Sequence, residues 1–255
     1  MSRSAPSVEV RNPVERWLEW NAQRGIISYY DRETKQKVEI GDKLTLYVLD
    51  VGRRCVKGWD AKSESGIYSR EVVGKMMRTA PFVVSSFKGG EIARGLWRDI
   101  KGIVKEAGGK LCSNTYAAME VDDGRVALVC LQLHGTASVD FSDFVKAKGE
   151  KAVAEDDHVL EIIGSETDKS GSVTFRRPKF KLSPGDPEML AAATKLDREV
   201  LQPYFAAYAA HALAEPIGKE ESGITAEFGD ELGPETVVQI PGGEDDFAPG
   251  GQPRF

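Results

Sequence analysis

The sequence predicts a β-rich α+β fold, an OB-fold-like five-stranded antiparallel barrel with an accessory hairpin and C-terminal helices. Two observations predict it. Short segments rich in β-branched and aromatic residues are separated by polar turns, which is typical of strands. One strongly periodic helical segment follows the first strands and precedes two more, and this is the element order of the OB-fold.

The N-terminal half begins with a short aromatic segment, PVERWLEW, in which Trp17 and Trp20 have the spacing of one helical face. A hairpin follows, because the strand-like segments IISYYD and QKVEI flank the polar turn RETK. Leu44 to Val51 is predicted as a third strand and Pro81 to Lys88 as the next one. Between them, residues 53–72 are predicted to form a polar, glycine-containing loop.

The clearest helix covers Glu91 to Ala107, and Gly108-Gly109 ends it. Its apolar residues recur at helical spacing, at Ile92, Leu96, Ile100, Ile103 and Val104. Two strands follow, LCSNTYAAMEV and RVALVCLQLHG, around the turn sequence Asp122-Asp123-Gly124.

The last third of the chain is predicted to hold a short helix from Ser138 to Lys148 and a second hairpin, HVLEIIGSETDKSGSVTFRRPKFKL. A helix from Asp186 to Gln202 is ended or kinked by Pro203, and another helical piece reaches Leu213. The chain is therefore divided into a disordered N-terminus (1–12), a barrel with its appended hairpin (13–182), a helical extension (183–214) and a disordered acidic tail (215–255).

Charge is distributed unevenly along the chain. Residues 183–255 hold 14 of the 40 acidic residues and only 4 of the 34 basic ones, so the preceding residues carry a small positive charge. This asymmetry favours a body that meets a polyanion and a tail that meets basic partners. Asp245, Asp246, Phe247 and Phe255 are predicted to bind those partners, although a solvated terminus with no partner would have a similar composition.

Composition narrows the class of protein. Hydrophobic residues make up 41% and charged residues 29% of the chain, which is typical of a globular protein. The three cysteines, Cys55, Cys112 and Cys130, are odd in number and widely spaced, which favours a reducing compartment over a disulfide framework. No signal-like segment or apolar run of membrane-spanning length is present, so we expect a cytoplasmic protein, in the host cell if viral.

Catalytic motifs are not found. The segment Gly102 to Leu111 lacks the spacing of a phosphate-binding loop, and Leu111 replaces the hydroxyl residue that would hold magnesium. Cys130 and His134 lie four residues apart but lack the further ligands that a zinc ion requires. No nucleophile, base and orienting group can be assigned together. We therefore expect a non-enzyme without cofactor or metal.

Bases and aromatic residues interleave in the predicted loop 53–72 and recur in both hairpins. Proteins that hold single-stranded nucleic acid need cations for the phosphates and flat rings for the bases. Each of these residues could instead pack onto the barrel or face solvent. The predicted nucleic-acid-binding residues are Tyr30, Arg32, Lys35, Arg53, Arg54, Lys57, Trp59, Lys62, Tyr68, Phe87, Lys88, Tyr116, Arg177 and Lys179.

Residues 12–135 resemble single-stranded DNA-binding proteins encoded by tailed bacteriophages, in the segments NPVERWLEW, SYYDRETKQKVEI, KGWDAKSESGIYSREV, FKGGEIARGLW and AGGKLCSNTYAAM. The resemblance implies an OB-fold core and an acidic tail that ends in an aromatic residue. Here Phe255 ends the sequence, but Arg254 precedes it and the acidic cluster lies upstream. Both Phe247 and Phe255 therefore remain candidate anchors for a partner.

These observations predict a sequence-independent binder of single-stranded DNA in phage replication or recombination. Its tail is expected to recruit a polymerase, a primase or helicase, or a nuclease. The alternative is a non-catalytic protein–protein adaptor built on an OB-like barrel, and a nuclease using scattered acids is a third hypothesis. Oligomeric state, preference for DNA over RNA and the role of residues 150–213 are not predicted.

Overall fold

The computed structural model describes residues 11–121, 124–154 and 157–214, with only the backbone for the last four of these. About half of the described residues form one mixed sheet of 12 strands. The sheet is open, so the predicted five-stranded OB barrel is wrong. The strand pattern in the sequence located most strands but carried no information on how they pair.

The strands are β1 (Arg16–Asn21), β2 (Ile26–Asp31), β3 (Gln36–Gly41), β4 (Lys43–Asp60), β5 (Ser65–Ser69), β6 (Val72–Val73), β7 (Phe82–Ser86), β8 (Gly90–Gly95), β9 (Gly109–Glu120), β10 (Val126–His134), β11 (His158–Ser170) and β12 (Val173–Pro184). Their main order is β3-β2-β1-β10-β9-β4-β5-β7-β8. β11 pairs with both β12 and β4, and β6 pairs with β4. The second predicted hairpin is therefore part of the same sheet.

The aromatic segment near the N-terminus is a strand, and the predicted helix there is wrong. Leu18 and Trp20 are buried, whereas Trp17 and Glu19, which alternate with them along the chain, are only half-buried. This alternation has the period of a strand. β1 pairs in parallel with β10, with Trp17 opposite Cys130, so a contact that is remote in sequence decides the local structure.

Residues 53–72 are also largely extended rather than a loop. β4 runs for 18 residues, and its end pairs with β5 across a turn at residues 61–64. Irregular register between Asp50 and Arg53 bends the strand, and Gly52 has φ +83° there. A glycine takes this positive φ without strain, which allows the strand to bend and continue.

The helices are α1 (Trp97–Glu106), α2 (Gly135–Lys148), α3 (Glu150–Ala154), α4 (Pro187–Leu196) and α5 (Gln202–Ala214). α1 is shorter than predicted, because Gly90–Gly95 form strand β8. A π-helical turn, Asp197–Leu201, joins α4 to α5, so Pro203 does not end the helix. A proline ring inside a helix clashes with the carbonyl four residues earlier, and for Pro203 that residue is Glu199, which lies in the wider π turn.

Two hydrophobic clusters pack on one side of the sheet. The larger contains Leu18, Leu131 and Leu160, and the other contains Val56 and Trp97. A third cluster lies on the opposite side, where Leu201 and Tyr204 of the C-terminal helices cover the strands. The C-terminal helices therefore occupy part of the sheet's second face.

Candidate functional site

The candidate site lies on one face of the sheet, opposite the face that carries the two larger hydrophobic clusters. We call it the outer face. Val56 of β4 points into a cluster, so its neighbours Cys55 and Lys57 point to the outer face. In the same way, Leu18 of β1 is buried in the larger cluster, and Trp17 lies on the outer face. Paired residues of neighbouring strands share a face, so the register of the sheet shows which other residues lie on the outer face.

A row of aromatic residues and lysines crosses this face. Lys57 pairs with Tyr68 of β5 on one side and with Lys110 of β9 on the other. The ring of Tyr68 stacks on Phe87, with centroids 4.6 Å apart and an interplanar angle of 28°. The ammonium group of Lys57 lies 4.5 Å from the centroid of the Trp17 ring, a cation–π contact. We call Trp17, Lys57, Tyr68 and Phe87 the open row, and all four side chains are partly exposed. Trp17 lies where the open row meets the part of the face that the C-terminal helices cover, because its ring also packs against the third cluster.

Tyr30 extends the open row on the β2 side. Glu19 of β1 pairs with Ser28 of the antiparallel strand β2. Trp17, two residues before Glu19, and Tyr30, two residues after Ser28, therefore lie on the same face of neighbouring strands. Tyr29 points to the other face and is buried, as alternation predicts. At about 4.8 Å per strand, the distance from β2 to β7 measured along the sheet is about 29 Å.

The remainder of the outer face is covered by α5. The guanidinium carbon of Arg53 lies 3.3 Å from the centroid of the Phe205 ring, and Phe205 meets Tyr116 edge to face with centroids 5.1 Å apart. Tyr116 is fully buried, and the Arg53 side chain is only 15% exposed. Arg53 also contacts Asp50 at 3.3 Å. We call Arg53, Glu71 and Tyr116, with the helix above them, the covered part of the face.

A hydrogen-bonded network of buried side chains lies beneath α5. The carboxylate of Glu71 accepts hydrogen bonds from the Tyr116 hydroxyl at 2.8 Å and from the Asn114 amide, and Gln132 donates to Asn114 at 2.8 Å. The backbone N–H of Glu71 donates to the Tyr208 hydroxyl of α5 at 3.1 Å. The polar interior is therefore tied to the helix that covers it.

Burial changes the acidity of Glu71 and of Asp50, the carboxylate that contacts Arg53. Desolvation raises the pKa of Glu71, although hydrogen bonds from Asn114 and Tyr116 and the nearby Arg53 charge act in the opposite direction. Desolvation also raises the pKa of Asp50, against the lowering effect of Arg53. The charged forms are thus disfavoured here, as expected for carboxylates removed from water.

The structure brings together several of the predicted nucleic-acid-binding residues and separates others. Lys57, Tyr68 and Phe87 form the open row, and Trp59 lies two residues further along the same face, opposite Gly66. Lys62 and Lys88 are exposed at neighbouring turns. Arg32 and Lys35 are exposed at the turn of the first hairpin, at the other end of the sheet order from β5 and β7.

Three predicted residues do not reach an exposed part of the outer face. Tyr116 and Arg53 are enclosed beneath α5, as described above. Arg54 points to the other side of the sheet, where its guanidinium donates to the Ser142 hydroxyl of α2 at 3.0 Å. The prediction missed this because it treated residues 53–72 as a loop, in which alternation has no meaning.

The two basic residues of the second hairpin that were predicted to bind nucleic acid form ion pairs with acidic side chains. Arg177 contacts both Asp140 and Asp168, the latter at 3.1 Å, and Lys179 contacts Glu166 at 3.0 Å. These contacts keep the pKa of Arg177 above its ordinary value. The hairpin thus presents a surface of paired charges. The tail residues Asp245, Asp246, Phe247 and Phe255 lie outside the described residues.

Sequence reasoning missed Trp17 and Lys110 as members of the site. A period-2 signal was present in the sequence beside Trp17, because the apolar Leu18 and Trp20 alternate with polar residues, but the helical spacing of Trp17 and Trp20 outweighed it. Lys110 became part of the site only through its pairing with Lys57, a contact that the sequence does not specify.

Two further observations concern other kinds of site. Within the described ranges, no three His, Cys, Asp or Glu side chains are grouped to hold a metal ion. No helix in those same ranges is long and apolar enough to cross a membrane. Comparison with known proteins found no matching family model, curated protein or solved structure.

Proposed function

We propose that this protein binds single-stranded DNA without sequence preference, through the open row on the outer face of its sheet. The proposal rests on one observation, the alignment of partly exposed rings with a lysine on a single face. Rings offer stacking surfaces to any base, and stacking contributes about 1–3 kcal/mol per base. A site of this kind has no need of hydrogen bonds to base edges, so it is tolerant of sequence.

The pairing of Lys57 with Lys110 supports an anionic ligand. Like charges placed directly opposite each other in a sheet are destabilising. A phosphate group bound near the two lysines would offset that repulsion. Neutralisation of the phosphate by the lysines would in turn release condensed counterions from the nucleic acid. Lys62 and Lys88 are exposed at the turns beside β5 and β7 and add positive charge near Tyr68 and Phe87.

The resemblance to phage proteins supports the choice of DNA and a role in replication or recombination. Binding of this kind does not require an OB barrel. A stacking platform requires rings and cations on one exposed face, and an open sheet supplies such a face as well as a barrel does.

The acidic tail is proposed to recruit replication proteins and to compete with DNA for the basic surface. α5 ends at Ala214, six residues beyond Tyr208, and the acid-rich sequence begins at once after it. A tethered polyanion acts at high effective concentration. Deleting residues 219–255 should therefore tighten DNA binding at low salt, with a smaller gain at high salt. Weaker binding by the truncated protein would contradict this role.

The central experiment is a titration of the full chain with labelled oligo-dT, oligo-rU and duplex DNA at two salt concentrations. We expect quenching of tryptophan fluorescence by oligo-dT, weaker binding to duplex, and an affinity that falls steeply as salt rises. Binding that does not respond to salt, or no binding to any of the three, would overturn the proposal and favour the protein–protein adaptor.

A further inference from the structure

Two of the three cysteines face each other across neighbouring strands beneath the outer face. Cys55 of β4 is the direct register partner of Cys112 of β9, and each is 3% exposed. In an antiparallel pair, directly opposite Cα atoms are about 4.5 or 5.5 Å apart, depending on the type of pair. Both separations lie within the range of about 4.4–6.8 Å that a disulfide spans.

We propose that Cys55 and Cys112 form a thiol modification site that hydroperoxides convert reversibly into a cross-strand disulfide. Both side chains lie on the same face of the sheet, because register partners share a face. Both cysteines are free thiols in this structure. The inference does not depend on nucleic-acid binding.

The surroundings make the two thiols chemically different. The Asn114 amide donates to the Cys55 sulfur at 3.4 Å, and the Cys112 thiol points to the Lys110 carbonyl at 3.7 Å. A hydrogen bond from Cys55 lowers the pKa of Cys112, with help from the Lys57 charge, whereas the same contact and burial raise the pKa of Cys55. Cys112 is therefore the sulfur more readily converted to a nucleophilic thiolate.

The reaction balances with hydrogen peroxide as the oxidant. The Cys112 thiolate attacks one peroxide oxygen, the O–O bond breaks, and the products are a sulfenic acid and hydroxide, which takes up a proton to become water. The Cys55 sulfur then attacks the Cys112 sulfur and displaces its hydroxyl group, which leaves as water with the Cys55 proton. Two thiols lose two electrons, and one peroxide becomes two water molecules.

Cys130 provides an internal control. It is fully buried, and its register partners are Tyr116 and Trp17 rather than a cysteine. Cys112 pairs with His134 on β10, four residues from Cys130, or about 13 Å along the strand. A disulfide cannot span that distance without movement of the backbone.

The test is to treat the reduced full chain with hydrogen peroxide and to count thiols after denaturation. We expect the count to fall from three to one, with an intact mass lower by two hydrogens and a peptide linking Cys55 to Cys112. The Cys130→Ala variant should fall from two thiols to none, and a reductant should restore both proteins. The single variants Cys55→Ala and Cys112→Ala should form no internal disulfide.

Three outcomes would overturn the site. They are retention of all three thiols, loss of thiols without the Cys55–Cys112 link, and a disulfide that includes Cys130. Each can occur whether or not the protein binds DNA, so failure here leaves the proposed function unaffected.

Discussion

The open row and the covered part of the outer face use the same kinds of residue in different ways. Both lie on β4 and its neighbours, and both place a cation against an aromatic ring. In the covered part, the ring on Arg53 is Phe205 of the protein's own C-terminal helix. In the open row, Lys57 lies on Trp17, and the neighbouring Tyr68 and Phe87 stay partly exposed. Composition alone therefore does not separate a packing contact from a binding surface.

The difference also appears in the polar groups. The covered part contains a buried carboxylate with a raised pKa, and its hydrogen bonds run to other buried side chains and to α5. The open row contains one lysine, Lys57, whose register partner on β9 is Lys110, and none of its four members is a carboxylate. We expect changes in the covered part to affect stability and changes in the open row to affect binding.

The largest expected effect comes from removing two rings of the open row. The double variant Tyr68→Ala, Phe87→Ala removes the two stacked rings that pack against none of the hydrophobic clusters, and should lower oligo-dT affinity by about 2–6 kcal/mol, because each stacked base contributes about 1–3 kcal/mol. Fluorescence anisotropy of labelled oligo-dT measures this without the protein's tryptophans. Tyr47→Ala, which removes a half-buried ring near the other end of β4, is the matched control and should bind normally. Equal losses in both proteins would show that binding is not concentrated at the open row.

A second effect should appear in stability. Phe205→Ala removes the ring that packs on Arg53 and Tyr116, and should lower the free energy of unfolding by about 2–4 kcal/mol. Urea denaturation measures it, with Ala206→Gln at an exposed neighbouring position as a control. Oligo-dT affinity of the folded variant should change by less than about threefold. A stable variant with weak DNA binding would place the covered part within the binding surface.

A smaller effect concerns charge. Lys57→Gln should reduce the slope of log affinity against log salt by about one, as expected for the loss of one phosphate contact. Lys179→Gln removes a lysine of the second hairpin that contacts Glu166, and should leave the slope unchanged. Titrations at four salt concentrations would resolve the two slopes. If both variants changed the slope equally, long-range charge rather than the open row would attract the DNA.

The smallest effect concerns pH. Because burial raises the pKa of Glu71, the folded state holds its proton to a higher pH than the unfolded state. Stability should therefore fall as pH rises from the ordinary glutamate value of 4.5 through the raised folded value. Glu71→Gln keeps an oxygen acceptor for Tyr116 and should weaken this fall, measured as melting temperature against pH.

Glu161→Gln is a control in which the expected dependence of stability on pH has the opposite sign. The Ser183 hydroxyl, and then Lys181, lower the pKa of Glu161, so its contribution is present above the ordinary value and is lost on acidification. A Glu71→Gln profile identical to that of the unmodified protein would show that the network does not carry the pH dependence.

Much of the secondary structure was predictable from local pattern. The first hairpin, the strands LCSNTYAAMEV and RVALVCLQLHG, the helix after residue 134 and the second hairpin are all present. These segments combine a clear period with turn residues at their ends, so local physics and tertiary structure agree. The wrong predictions fall where the period was ambiguous, as at Trp17 and Trp20, or where strand-forming residues were mixed with charges, as in residues 53–72.

The sequence by itself determined where many of the strands and helices lie, which faces of them are apolar, and that rings and cations are interleaved near Lys57. Only the tertiary structure decided that β1 pairs in parallel with β10, that the sheet stays open, and that Lys57 has Lys110, Tyr68 and Trp17 as neighbours. It also decided that α5 covers Arg53 and Tyr116 and that Cys55 faces Cys112. Periodicity reports the environment of one segment, whereas pairing depends on contacts between segments far apart in the chain, and those contacts leave no local trace.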